Sequence, residues 1–168
     1  YTLAISFKCL IFSGSGGSPS PHGTQGEVIQ AFDPNNLPVL FNCFAEGYGG
    51  FECYLNPNYQ VIYRVLPRSY SPPTVNSNGV KVADVQTEQW NQLVIEHDKP
   101  HLARAQLVAI LNDKQSINFP MDYPKFDHKA KITHISVCKG MTAQLGYVCL
   151  FQDHFSNLKK FASQLIKL

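Results

Sequence analysis

The chain has 168 residues, of which 44% are hydrophobic and only 15% charged, with 11 Gly, 11 Pro and a net charge of +2. That length suits one domain of the usual about 100–200 residues, and few charges with many turn formers favour short strands over exposed helices. A charge of +2 with only short basic runs (Lys129 and Lys131, then Lys159 and Lys160) argues against a nucleic-acid partner. No run reaches the ~20 apolar residues of a membrane helix, so no direct membrane insertion is expected.

In chain order, TLAISFKCLIF (residues 2–12) alternates as a half-buried strand, with Leu3, Ile5, Phe7 and Cys9 on one face. Residues 13–27 are Gly, Ser and Pro rich and read as a flexible loop. LPVLFNCFA (37–45) is the next strand. Phe51–Leu55 and Tyr59–Leu66 flank Asn56-Pro57-Asn58 and read as a hairpin. Residues 67–79 form a second flexible loop, and Asn78-Gly79 turns into a short strand, Val80–Val85. WNQLVIE (90–96) and Ala103–Leu111 are strands, the latter ended by Asn112-Asp113-Lys114 with Ser116–Phe119 returning. Ile132–Cys138 alternates, with His134 and Ser136 sharing a face, and Gly146–Phe151 is the last strand. Residues 155–168 switch to helical period, with Phe155, Leu158, Phe161, Ala162 and Leu165 as the apolar stripe and Ser156 or Asp153 as the cap.

Many short strands without a fixed repeat predict a sandwich or barrel. The five cysteines (Cys9, Cys43, Cys53, Cys138 and Cys149) are odd in number, widely spaced and without a CxxC, which argues against a disulfide framework and against zinc. They read as small buried hydrophobes in a reducing compartment. The apolar start lacks a basic leader and carries Lys8, so no signal peptide is read there. The chain opens directly on a strand at Tyr1, and the expectation is a segment cut from a longer protein.

A specific order of features runs through the second half. Gln89-Trp90 leads into LVIEH, then QLVAIL turns at Asn112-Asp113-Lys114 and returns towards Tyr123-Pro124, and ITHISVCKG is followed by QLGYVCLFQDHFS and a helix. This order resembles the laminin-G and pentraxin type of concanavalin A-like domain. The tail is more similar still to the concanavalin A-like domain of BEACH proteins, the neurobeachin and beige group. Leu145, Gly146, Tyr147, Cys149, Phe151, Asp153, Phe155 and Ser156 carry that likeness, and the entry strand fits weakly. It covers residues 80–160 and 1–12 but not the two loops. Asn91-Gln92 stand where relatives often have His-His, and Phe7 or Cys9 stands for the usual Trp, so the member would be divergent, of the fungal beige type. The resemblance implies one all-β, concanavalin A-like jelly-roll sandwich over residues 1–168 with a C-terminal helix. It also implies a non-catalytic recognition or scaffold module in vesicle trafficking and protein sorting, with a protein, peptide or glycan ligand and neighbouring domains of the same long chain as partners. The implied location is cytoplasmic, peripheral on endosomal or vacuolar membranes.

Enzymes and lectins share this fold, and each leaves a signature to test. A glycoside hydrolase pairs two carboxylates, and the strand pattern Glu-x-Asp-x-x-Glu supplies them. Glu96-His97-Asp98-Lys99-Pro100-His101 matches the first two acids, but His101 replaces the third and Pro100 ends the strand. Glu52 and Glu88 stand isolated in sequence. No enzyme is therefore expected, although a diverged hydrolase is the alternative. A galectin-like lectin is the other alternative, with Leu55-Asn56-Pro57-Asn58, Val75-Asn76-Ser77 and Trp90 in suggestive order; the His and Arg of the first galectin strand are missing, and Trp90 reads as a core or strand-edge residue. For calcium, Asp33, Asn35 and Asn36 lie between Pro34 and Pro38 and read as turn formers, as do Asp122 and Asp127. His97 and His101 have i, i+4 spacing, but Pro100 denies them a helix. Cys-His nucleophilic pairing has no spacing that marks it. No cofactor, metal or catalytic residue is assigned, and the ligand-binding residues are not identified from sequence.

Overall fold

The computed structural model describes residues 1–10, 32–100, 102–124, 129–151, 155 and 157–165. Alternation decides the layers. Among the described residues the strands are β1 (Thr2–Cys9), β2 (Val39–Ala45), β3 (Gly49–Leu55), β4 (Gln60–Leu66), β5 (Val80–Asp84), β6 (Trp90–Asp98), β7 (Gln106–Leu111), β8 (Lys114–Pro120), β9 (His134–Lys139) and β10 (Ala143–Phe151), followed by helix α1 (Leu158–Leu165). They form two five-stranded sheets, ordered β10-β1-β6-β7-β8 and β5-β4-β3-β2-β9. Every pairing is antiparallel. The chain changes sheet after β1, β5, β8 and β9, which makes an all-β sandwich of the jelly-roll type.

The core lies between the sheets. Leu3, Ile5, Phe7 and Cys9 point inward from β1, as their spacing predicts. Leu93, Ile95, Leu107 and Ala109 extend that layer, and Phe41, Cys43, Phe51, Cys53, Val61 and Tyr63 face it from the second sheet. All five thiols are free. Burial raises Cys9 and Cys43 to about 11 and raises Cys53 further, so these three are inert packing groups rather than nucleophiles.

The first sheet also buries part of its outer face. Ala4, Val94 and Ile110 meet Leu158 and Ala162 of α1. The Phe155 and Phe161 rings stack at 3.9 Å, and both meet Phe151 edge-on. Asn157 Oδ1 accepts the Lys160 N–H at 2.9 Å and caps the helix, a role the sequence pattern gives to Ser156 or Asp153, which lie outside the described residues. The Gly/Ser/Pro segment 13–27 also lies outside them.

Several boundaries differ from the sequence expectation, for local reasons. The third strand begins at Gly49 (φ 99°), whose Cβ position would fall 2.4 Å from the Leu66 carbonyl. Asn112 (φ 48°) and Asp113 (φ 64°) alone make the β7–β8 hairpin, so Lys114 belongs to the strand rather than the turn. Two consecutive positive φ values define a type I′ turn, which matches the twist of the strands it joins. The strand expected from Ala103 starts at Gln106, and the one expected from Ile132 starts at His134. The last strand starts at Ala143, earlier than Gly146, because it pairs with β1 out to Cys9. Gly146 sits where that pairing shifts register between Ser6 and Phe7, and a Cβ there would meet Ser6 Oγ at 2.9 Å.

The turn offers a clean test. Asp113 holds a left-handed conformation that glycine adopts without penalty. Asp113→Gly is expected to stabilise the chain by roughly 0.5–1 kcal/mol, read as a raised urea midpoint at unchanged slope. Phe51→Ala, in the stack between Tyr1 and Phe41, is expected to cost about 3–5 kcal/mol.

Candidate functional site

With one outer face covered by α1, the outer face of the second sheet is the place where polar chemistry collects. Inward-facing Phe51 and Cys53 force Glu52 outward, and register sets it opposite Arg64 on β4 and Asn42 on β2. Ser136 on β9 lies opposite Asn42. A cross-strand row results: Ser136, Asn42, Glu52, Arg64. Glu52 and Asn42 are fully buried. Arg64 Nε donates to Glu52 Oε1 at 2.5 Å, and Asn42 Nδ2 donates to Oε2 at 3.1 Å. The second Arg64 nitrogen, Nη2, also reaches Oε1 and donates to the Ser71 carbonyl at 2.6 Å.

The Ser71 contact shows what buries the row. Residues 67–79 are irregular, and they are tied across this face. Tyr54 Oη donates to the Ser77 carbonyl at 3.1 Å, and the Leu37 and Val75 N–H groups donate to the Pro73 and Pro34 carbonyls. Arg64 also lies over the Tyr54 ring. Tyr70 lies near Glu52; burial first, and then that carboxylate, push its phenol up to about 12. Tyr70 therefore stays neutral.

Beside this lid runs an open cleft of about 680 Å³. The Tyr70 ring lies between Phe44 (5.8 Å) and His134 (6.1 Å), forming an aromatic wall. Ser136 Oγ and His134 Nε2 are 2.7 Å apart. Arg68 and Lys139 line the cleft with Glu46 as its acid, and neither cation makes an ion pair among the described residues.

The sequence candidates fall elsewhere. Glu96 is spent on architecture, since its Oε2 accepts the Phe155 N–H at 2.7 Å and the Thr2 hydroxyl at 3.4 Å. His97 points the other way, into the core, and is fully buried. Its Nε2 meets the Met121 carbonyl at 3.1 Å, which can only accept, so Nδ1 accepts the Tyr63 hydroxyl at 2.8 Å. Tyr1 Oη completes the chain through Tyr63 Oη. His101 and Asp127 lie outside the described residues. Glu88 closes a turn, with φ 59° and its N–H on the Cys9 carbonyl. Asp33 accepts from its own turn at Asn35 and Asn36, and no metal-ligand cluster occurs among the described residues.

The galectin-like set is not assembled either. Asn56 satisfies its own hairpin through Asn58, Gln60 and the Gln60 side chain. Trp90 stands half-exposed on the other sheet, beside Gly146. Asn91 is buried and holds the turn at Gln86 and Gln89.

In sequence Glu52 looks isolated, although a hairpin centred on Asn58 places 52 opposite 64. That spacing is the signal that finds the Glu52–Arg64 pair. Nothing comparable marks Tyr70 or Arg68, because their position depends on how an irregular segment crosses a sheet.

Known proteins add little here. Neither a scan of protein families nor a search of curated proteins returns a match. Among solved structures, the alginate lyase Aly36B in complex with an alginate trisaccharide aligns over 87% of this chain at 8% identity and a TM-score of 0.36. Its complex with a tetrasaccharide aligns over the same share at the same TM-score. The chain spans 61% and 60% of the length of those two lyase chains.

Two outcomes follow from the buried groups. Arg64→Met strands the Glu52 carboxylate and is expected to cost about 3–5 kcal/mol, whereas Glu52→Leu with Arg64→Met recovers most of it; urea unfolding of both variants checks this. Burial lowers the His97 pKa below its ordinary 6.5. Between those two pKa values the unfolded chain binds the extra proton, so stability is full above about pH 6.5 and falls as pH drops towards the lowered value. Urea midpoints from pH 8 to pH 5 read this, and His97→Gln is expected to remove that part of the slope.

Proposed function

We propose that this chain is a non-catalytic recognition and scaffold module of a BEACH-type protein, working in vesicle trafficking and protein sorting at the cytoplasmic side of membranes. The observation that carries the non-catalytic part is that Glu52, Glu96 and His97 are each occupied. Glu52 is held by Arg64 and Asn42, Glu96 by the Phe155 N–H, and His97 by Tyr63 and Met121. What remains accessible is a surface suited to binding: the aromatic wall, Arg68 and Lys139. The tail supports the family reading, since the strand that ends at Phe151 is followed by a helix packed on its own sheet. No helix among the described residues is long and apolar enough to cross a membrane, and a peripheral position would come through partners.

A carbohydrate ligand is the second reading, favoured by the ring wall of Phe44, Tyr70 and His134, because aromatic faces suit sugar rings as well as peptides. Two measurements separate these readings. In-frame deletion of this segment from its gene is expected to mis-sort vesicle cargo while the level of the shortened protein stays unchanged. On a glycan array and a polysaccharide panel the isolated chain is expected to give no saturable hit and no turnover. Release of sugar chain ends, abolished by Glu52→Gln, would contradict the non-catalytic reading; a saturable glycan lost on Tyr70→Ala would replace it with the lectin.

A further inference from the structure

Among the described residues β9 is an edge strand, and it lies against the cleft. β9 pairs with β2 on one side and ends its sheet, while the following strand, β10, belongs to the other sheet. Its other side carries no backbone hydrogen bond among the described residues, and its lead-in only extends the pairing with β2, where the Thr133 N–H meets the Phe44 carbonyl. An edge of this kind is a template for a further strand. Proteins often blunt such edges with charge, yet Ile135 on this edge and Ile132 just before it are both more than half exposed.

Charge selects the occupant. The cleft beside β9 carries Arg68 and Lys139 against Glu46, and the carboxylate beneath it, Glu52, is already neutralised by Arg64. A second copy of β9, laid antiparallel about its centre, would set Lys139 against His134 and bring two cationic clefts together. Self-pairing is therefore disfavoured, and an acidic strand gains what a second copy loses.

Resting on the recognition-module reading, we propose that the β9 edge binds an extended acidic polypeptide by strand addition. Alternate side chains of an added strand point to opposite faces. Acidic residues would reach the Arg68–Lys139 cleft across the His134 and Tyr70 rings, and the intervening apolar residues would cover Ile135. Backbone hydrogen bonds supply affinity, and the alternation supplies specificity.

The test uses the ¹⁵N-labelled chain with a short peptide alternating glutamate and valine, and the lysine–valine peptide as control. The glutamate peptide is expected to shift the His134–Lys139 amides saturably and to slow their hydrogen exchange. Arg68→Glu with Lys139→Glu is expected to weaken binding by about tenfold or more, with the melting curve confirming the fold, whereas Glu88→Gln leaves it unchanged. Equal shifts with the lysine peptide, or none at millimolar glutamate peptide, would overturn the proposal. So would complete competition by inorganic phosphate or by anionic phosphatidylserine vesicles, which would make the cleft a simple anion site. Failure here leaves the sorting experiment standing, while normal sorting after deletion would remove the module reading whatever the peptide does.

Discussion

A charge pair buried on the outside of a sheet organises the half of this molecule that carries the candidate site. Glu52 has no access to solvent, and a carboxylate removed from water is tolerated only when its oxygens are occupied. Arg64 and Asn42 occupy them from the neighbouring strands, with Tyr70 nearby. The pair therefore does more than join β3 to β4. Through the Ser71 carbonyl it holds the 67–79 segment down, and that segment brings Tyr70 and Arg68 to the cleft. Pairs of this kind are weak sources of stability but good sources of a unique arrangement, because an irregular segment with no ladder of its own needs fixed points.

The two sheets divide the work. The first sheet is closed by the core inside and over the middle of its outer face by α1. Its polar groups serve that closure: Glu96 anchors the chain before the helix, and Asn91 pins the turn that leads into β6. The second sheet keeps one face for polar groups, and among the described residues it ends at β9 beside the cleft. His97 belongs to neither surface. It ties both layers together, joining β6 of one sheet to Tyr63 of the other, and this makes it a structural residue despite its chemistry.

The layers were legible from sequence because they rest on period. Leu3, Ile5, Phe7 and Cys9 alternate, Asn56-Pro57-Asn58 and Asn112-Asp113 are turn chemistry, and Phe155, Leu158, Phe161 and Ala162 repeat helically. The site was less legible, for two reasons. Glu96 and Asp98 share a strand face and so imitate a catalytic pair, but sequence does not reveal that a helix approach needs Glu96 as an acceptor. Glu52 looks isolated until the hairpin register is counted out to Arg64. Tyr70 and Arg68 belong to a segment without period, whose path is set by tertiary hydrogen bonds, and local sequence carries no record of those.

The dependence of the cleft on the buried pair can be measured directly by backbone ¹⁵N relaxation of residues 68–77. In the native chain the order parameters are expected near 0.85, the value of rigid backbone, and in Arg64→Met they are expected to fall below about 0.6 over that segment while β2 and β3 stay rigid. A segment already mobile in the native chain, or one that stays rigid without Arg64, would contradict the account.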